Sequence, residues 1–592
     1  MSDRPSEAAL FDRANLDARI TFVSASFLLA YGFAALLDRV GAPERFVGAA
    51  PPWFTIVALA ALGFLLHSMR VSVYYAAGRA VPAAYSGFAN AAIVIAMVTP
   101  FATRLAGRSW TLGVVGGVFL GLATAAFYLG PLLRKTGAFS ISGLLAARFP
   151  SAAPRFGVIA AVALSSGLLA IAGGLIAVDA LVDLTGAGRT FAAFAIAAAT
   201  LVIAGPGGLA GAIWTAAAAG GVALFGLGLP LFALGVRGEL PVNILGGGPG
   251  WREAAELLSA WRIVPAPMNL LIEIGATIAV ALGVATLAPT LAPAVTTNDL
   301  AAARRSGFAT FGWSIFFALM VGGAVAASAI EFAGATAGQP PERLPPPVYA
   351  ASKRGLVEIC GATVRNPSEA QRACVAQGLA PGAPLNAADV RPMEGVYLLG
   401  ALPGASGLGA AAAGLLASGL IALGLALAAT GLQTCATAVG HDALYRLRGE
   451  IDLTSRRLAI TRLVLIVVSA LGYVVGATHI VSPSVLVSLA LSISAACVAP
   501  AVAMAFWPRA GDREALVALI GGVIGLVAAL AAAAAARRVE IYALAALAGA
   551  TLGLAMGVVS GLSTEPEKPG AREFIRRVLR GDGQVMAPDK GA

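Results

Sequence analysis

The sequence predicts an all-α protein that crosses a lipid bilayer about fourteen times, and three observations carry that expectation. Hydrophobic residues fill 58% of the 592 positions and charged residues only 12%, too little polarity for the surface of a water-facing globule this long. Apolar runs of about 20 residues, the length that spans a hydrocarbon core, succeed one another with mostly short polar connections. Lysine and arginine gather in those connections, as a positive-inside bias requires.

Taken in order, the runs lie at 20–40, 52–69, 82–103, 110–133, 156–182, 189–204, 207–236, 268–296, 306–333, 405–440, 458–480, 482–506, 514–536 and 540–563. Residues 1–19 mix acidic and basic side chains without an apolar stretch, so a polar tail and no cleavable signal peptide are expected there. An even number of spans puts both termini on one side. The loops with Arg134, Lys135, Arg148 and Arg155, with Arg304 and Arg305, and with Arg446, Arg448, Arg456 and Arg457 share that side with the tail carrying Arg572, Arg576, Arg577 and Arg580. That side is therefore read as cytoplasmic, in a multi-pass protein of the cell's inner (plasma) membrane. The segment 336–396 then lies outside the cytoplasm.

The expected organisation is a tail at 1–19, two extra helices with a loop at 20–81, a core at 82–506, two further helices at 507–563 and a tail at 564–592. A formal charge of +10 would suit nucleic acid, but the basic residues form no stripe with interleaved aromatics, so no nucleic-acid partner is expected. Cys435 and Cys497 sit singly in apolar runs with no second ligand at metal spacing. Cys360 and Cys374 share the long polar segment, where a disulfide and a pair of free thiols are both open. The 71 glycines let helix backbones approach closely, and strings such as Gly116-Gly117 through Gly121 read as packing faces because none follows a strand.

Glycine and proline interrupt two spans, the third at Gly87 and Pro100 and the eighth at Gly275, Gly283, Pro289 and Pro293. Each opens a block of five spans, which suggests two halves, 82–236 and 268–506, each beginning with a discontinuous helix that exposes its ends to substrate or ion. Simple proline kinks are the alternative. Asn90 on the third span and Thr430, Gln433 and Thr434 on the tenth could hold a small polar solute, or bridge helices. Asp179 is a buried-carboxylate candidate for binding or proton coupling, with Asp183 one turn on. Glu273 is read as a helix cap, and His67 and His479 as interfacial. No nucleophile motif, phosphate loop or catalytic carboxylate pair occurs in a polar segment, so neither an enzyme nor a cofactor is expected.

A series of short strings adds a family likeness. Tyr74-Tyr75-Ala76-Ala77-Gly78-Arg79 before the third span resembles the signature of the sodium:solute symporter family. Lys135-Thr136-Gly137-Ala138-Phe139-Ser140, Gly207-Gly208-Leu209 with Trp214-Thr215, Asp299-Leu300 through Ser306, and Ala436 through His441-Asp442 to Tyr445 continue it in order. The likeness covers roughly residues 70–506 and looks most like the acetate and monocarboxylate permease branch. It implies a leucine-transporter-type fold of inverted five-helix repeats, with alternating access of a small organic solute.

The resemblance also implies a sodium site between carbonyls at Ala91 and Val94 and two hydroxyl side chains, whose positions fall at Ala426 and Leu427. The nearby family aspartate is Ile93. Losing two oxygens from a hard cation's cage weakens it by several kcal/mol, unless Thr430 substitutes in another register. The coupling ion is thus open between sodium and proton. The other expectation is a transport-inactive member serving as a membrane sensor or as a subunit of a membrane complex.

Overall fold

The computed structural model describes residues 7–106, 114–243, 248–263, 269–393, 395–445, 454–536, 539–563, 568 and 570–580. Arg446 and Arg448 of the basic loops lie outside them. The chain begins with α1 (Glu7–Arg39), α2 (Glu44–Leu65) and the short α3 (Val71–Ala76). A first unit follows, made of α4 (Ala83–Val98), α5 (Ala102–Ala106), α6 (Val114–Thr124), α7 (Gly130–Thr136), α8 (Ile141–Arg148), α9 (Ala152–Thr185) and α10 (Arg189–Arg237).

After a connecting α11 (Pro249–Ala260), the second unit opens with α12 (Leu270–Thr286), α13 (Ala288–Val295) and α14 (Leu300–Thr336). A small cap comes next: α15 (Pro346–Lys353), β1 (Val357–Ile359), α16 (Pro367–Ala376), β2 (Val390–Pro392) and α17 (Gly395–Ala405). The unit closes with α18 (Ala410–Thr437), α19 (Thr454–Thr478), α20 (Pro483–Ile493) and α21 (Ala499–Ala505). A hairpin of α22 (Asp512–Ala536) and α23 (Val539–Leu562) leads to α24 (Ala571–Arg580).

Among the described residues, 11 helices are long and apolar enough to span a membrane, or 12 with the bent pair α12–α13 counted as one. The 49-residue α10 is two spans. At about 1.5 Å per residue it is more than twice as long as a hydrocarbon core is thick. Gly208 breaks it with φ 57° and ψ −142°. A Cβ on Gly211 would stand 2.5 Å from the Ile203 carbonyl oxygen, a contact only a chain folded back on itself can make. With α1, which carries the first apolar run, the expected fourteen are accounted for.

The helices sort into two packed groups. Helices α4, α6, α12, α13 and α14 form one group and α9, α10, α18 and α19 the other, with α4 also packed on α10 and α18 across the centre. Each group thus joins corresponding helices of both units, as two inverted copies interlocked through one centre would. The α9–α18 crossing is backbone on backbone: a Cβ on Gly173 would lie 2.5 Å from Ala428 N, and one on Gly424 would lie 2.6 Å from Gly173 O. Small residues at this contact replace the hydrophobic drive that lipid cannot supply.

One end of the bundle is basic. There Val81 N–H donates to Thr296 O, Arg134 Nε donates to Thr297 O at 2.6 Å, and Arg148 Nη2 donates to Ala510 O at 2.6 Å. At the opposite end the cap is fixed by the Cys360–Cys374 disulfide, by Trp261 Nε1–H on Ala387 O at 2.6 Å and by Arg354 Nη1–H on Asp183 O at 2.8 Å. Of the two options for the loop cysteines, the structure takes the bond.

The two openers differ from expectation in one respect. The eighth span is broken between α12 and α13 with a 40° bend, but the third is not interrupted at Gly87. It runs as α-helix from Ala83 to Val98 and only tightens to a 3-10 turn at Thr99–Phe101 around Pro100.

Candidate functional site

The break in the second opener builds the centre. Pro289 sits in the first turn of α13, and a proline there has no N–H to give and crowds the carbonyl four residues back. Leu287 accordingly turns extended at φ −72°, ψ 128°. Thr290 makes the break tolerable by sharing its hydroxyl proton between Val284 O at 2.9 Å and Leu287 O at 2.8 Å, two carbonyls at the end of α12. Asn90 on the facing α4 donates its Nδ2 to Thr290 O at 3.0 Å.

What these contacts leave over is mostly acceptor. Asn90 is buried, and its Oδ1 has no partner. Gln433 on α18 gives its Nε2 to Tyr74 O at 3.4 Å and keeps Oε1 unpartnered, while the buried Thr430 hydroxyl makes no hydrogen bond. Thr434 differs, since its hydroxyl donates back to Thr430 O at 2.9 Å. A cavity of only about 10 Å³ lies between Leu291, Ala292, Thr434, Thr437, Tyr75 and Ser140. That is room for about one water, and Asn90, Thr430 and Gln433 are not among its walls.

The positions implied for an ion are placed as follows. Ala91 and Val94 lie inside the uninterrupted part of α4, where their carbonyls accept the ordinary helical bonds, so they are not freed by unwinding. Ala426 and Leu427 are fully buried in mid-α18 and carry no side-chain oxygen. Between them and His441-Asp442 the helix widens to a π turn over Ala438–Tyr445, which rotates the two stretches relative to one another.

Asp179 is not brought to this cluster. Gly431, beside Thr430, lies level with Ala170 on α9, and Asp179 is nine residues further along, roughly 13 Å at 1.5 Å per residue. There it meets Arg189 Nη1 at 2.9 Å and His479 Nδ1 at 3.4 Å, and Arg189 also contacts His479 Nδ1 at 2.9 Å. This triad ties α9, α10 and the end of α19 together near the capped end. Glu273 lies in the first turn of α12, but the side chain that caps it is Asn269, accepting Leu271 N–H at 3.0 Å.

The basic end is closed by residues quoted above only as family strings. The Tyr75 ring stacks on His441 with centroids 5.1 Å apart, and Phe139 lies 5.2 Å from the same imidazole. Arg457 covers Tyr75 at 4.9 Å, and the Tyr75 hydroxyl bonds Thr461 Oγ1 at 2.7 Å. Beneath the stack, Asp442 Oδ2 accepts the hydroxyls of Ser140 and of Ser142, the latter at 2.5 Å. Ser140 is also the cap of α8, taking Gly143 N–H at 3.0 Å. The plug therefore pins α3, α8, α18 and α19 to one another. In the sequence, only the family likeness singled out Tyr75, Phe139, Ser140, His441 and Asp442.

No family model matches the chain. Over 131 residues it is 33% identical to an uncharacterized symporter of Cupriavidus necator, a stretch covering 21% of this chain and 18% of that protein, so under a fifth of the relative's length is matched. A solved Na+-coupled sialic acid symporter, in a substrate-bound outward-open state described as revealing a novel Na+ site, superposes with a TM-score of 0.62. That likeness covers 89% of this chain and 98% of that one at 16% identity. Identity so low speaks to architecture alone. The chain has the leucine-transporter-type fold of a multi-pass membrane protein, two inverted five-helix units with flanking helices.

Proposed function

We propose that this chain is a secondary active transporter that moves a small organic solute by alternating access, with the solute held between α4, α13 and α18. One observation carries the reading: Asn90 Oδ1 on α4, whose amide reaches Thr290 O of α13, and Gln433 Oε1 and the Thr430 hydroxyl on α18 are all buried without partners. Each such atom costs about 1–3 kcal/mol when nothing satisfies it. A solute or ion arriving from water supplies the missing bonds. The plug of Tyr75, Phe139, His441 and Asp442 is the gate at the basic end, and that end faces the cytoplasm of an inner membrane.

The monocarboxylate suggested by the family resemblance, acetate first, is the solute class to test. Its charge would meet the amino-terminal end of α13 and the Thr430 hydroxyl. Sodium or a proton drives the movement; Thr430, rather than Ala426 or Leu427, is the hydroxyl that α18 offers a cation.

A second reading has its own support. Ala426 and Leu427 contribute no oxygen, which suits a transport-inactive member acting as a membrane sensor or complex subunit. Uptake of labelled acetate into proteoliposomes, with imposed sodium and proton gradients in turn, decides between them. The expected result is accumulation driven by one gradient and lost in Asn90→Ala. Accumulation driven by neither removes the symporter, and a solute panel that never exceeds empty liposomes favours the sensor.

A further inference from the structure

The basic end holds a second cavity, of about 490 Å³, away from the path between α4 and α18. It lies where the end of α8, the turn into α22 and the segment before α24 meet, and it is within the size range of small-molecule sites. Its wall carries both signs of charge: Arg148, Arg513 and Lys568 on one hand, Asp512 and Glu514 on the other, with Phe574 as an apolar edge.

Two of these groups are built into the fold. Arg148 is 8% exposed and is held by the Ala505 and Ala510 carbonyls, to which its Nε and Nη2 donate at 3.3 and 2.6 Å. Glu514 is 1% exposed. Its Oε2 caps α22 by accepting Gly511 N–H at 2.7 Å, but its Oε1 has no partner. Asp512 is committed, since Oδ1 accepts Ser151 N–H at 3.2 Å. The wall therefore holds a carboxylate oxygen without a partner, on a cavity that Arg148, Arg513 and Lys568 also line. A ligand that answers both needs an anionic group and an N–H donor in one small body.

The helix beside the cavity says where such a ligand comes from. On α24, Val578 is buried and Phe574 half-buried, while Arg572, Arg576 and Arg577 are exposed. The apolar face of α24 is spent on the protein, Val578 being fully buried and Phe574 packed on the core, so the helix turns its arginines outward, where an anionic headgroup layer would attract them. We propose that the cavity binds the headgroup of an amine-bearing phospholipid, with its phosphate against Arg513 and Lys568 and its ammonium on Glu514. The same chemistry exists in free phosphoethanolamine-type metabolites, and the test separates the two.

Full-length protein, delipidated in detergent, is titrated by native mass spectrometry with phosphatidylethanolamine, phosphatidylcholine, phosphatidylglycerol and water-soluble glycerophosphoethanolamine. Phosphatidylethanolamine is expected to bind saturably and about tenfold tighter than phosphatidylcholine, whose ammonium has no proton to donate. Glu514→Gln should abolish that preference. Because Glu514 also caps α22, the double variant Arg513→Ala with Lys568→Ala supplies an independent reading, an affinity loss of about tenfold or more across the phospholipids. A soluble headgroup that binds as tightly as the whole lipid moves the source to a metabolite and overturns the lipid assignment. Equal affinity for the ethanolamine and choline lipids, or an ethanolamine preference unchanged in Glu514→Gln, overturns the site itself, as does unaltered affinity in the double variant. Uptake of any solute is not needed for these readings, so they stand or fall apart from the transport proposal.

Discussion

The helices that open the two units occupy matching places, carry prolines and glycines alike, and fold differently. In α12–α13 the proline at position 289 coincides with an extended Leu287 and a 40° bend, whereas α4 passes its glycine without interruption and meets Pro100 only near its far end. What separates them is which partner receives the disturbed backbone. At the eighth span Thr290 returns a hydroxyl to the carbonyls of Val284 in α12 and of Leu287 at the break, so breaking the helix leaves less unsatisfied. In α4 the glycine serves packing instead: a Cβ on Gly87 would stand 2.6 Å from Ser306 O and 2.9 Å from Thr310 N of α14. A glycine in a membrane span thus marks either a hinge or a close crossing, and only the neighbour tells which.

The largest effect is expected where the close crossing is denied. Gly87→Val puts branched atoms into backbone of α14, and overpacking of that kind costs about 1–3 kcal/mol or more, since neither backbone can yield as a side-chain end would. Thermal unfolding in detergent, followed by size-exclusion fluorescence, should show a lower midpoint and less folded protein. A Gly87→Val protein as stable as the parent would mean that α4 is the flexible opener after all, and the contrast drawn above would fail.

A smaller effect tests the broken helix. Thr290→Val keeps the shape but withdraws the hydroxyl from Val284 O and Leu287 O, at a cost of about 1–2 kcal/mol for carbonyls left short of a donor. Stability should fall modestly, and if the break holds the solute, uptake should fall with it. An unchanged midpoint would show that water or a neighbouring N–H already serves those carbonyls.

Much of this architecture could be read from the sequence because it depends on local chemistry. Apolar length fixed the spans, and Pro289 announced the break because a missing N–H is a property of the residue itself. Asn90, Thr430 and Gln433 stood out as polar side chains in apolar runs, and the structure shows all three buried with an unpartnered atom. Other features depend on contacts made across long sequence distances. Tyr75 meets Thr461 and Ser140 meets Asp442, pairs separated by 386 and 302 positions, so nothing near either residue indicated a plug. In the sequence Asp179 reads with Asp183 and without a cation, because Arg189 follows a turn and His479 arrives from another unit. Gly87 and Gly208 are alike as letters, yet only the latter has a positive φ.

The smallest expected effect, from Pro100→Ala, is the sharpest test of the comparison. Pro100 stands in the first turn of the 3-10 segment that follows α4, where the Thr99 hydroxyl already bonds Ile95 O at 2.9 Å. A proline in an opening turn lacks an N–H that such a turn does not use, so alanine there should change stability by less than about 1 kcal/mol. Pro289→Ala, the matching change in the other unit, restores an N–H just where α12 and α13 could join, and so favours a straighter span. If cysteine-pair distance measurements across residues 284 and 292 lengthen in Pro289→Ala while those across 95 and 103 hold in Pro100→Ala, the two prolines differ in kind as described. If both pairs move alike, the asymmetry belongs to this one conformation rather than to the sequence, and α4 would be expected to break when the plug at Tyr75 and Asp442 opens.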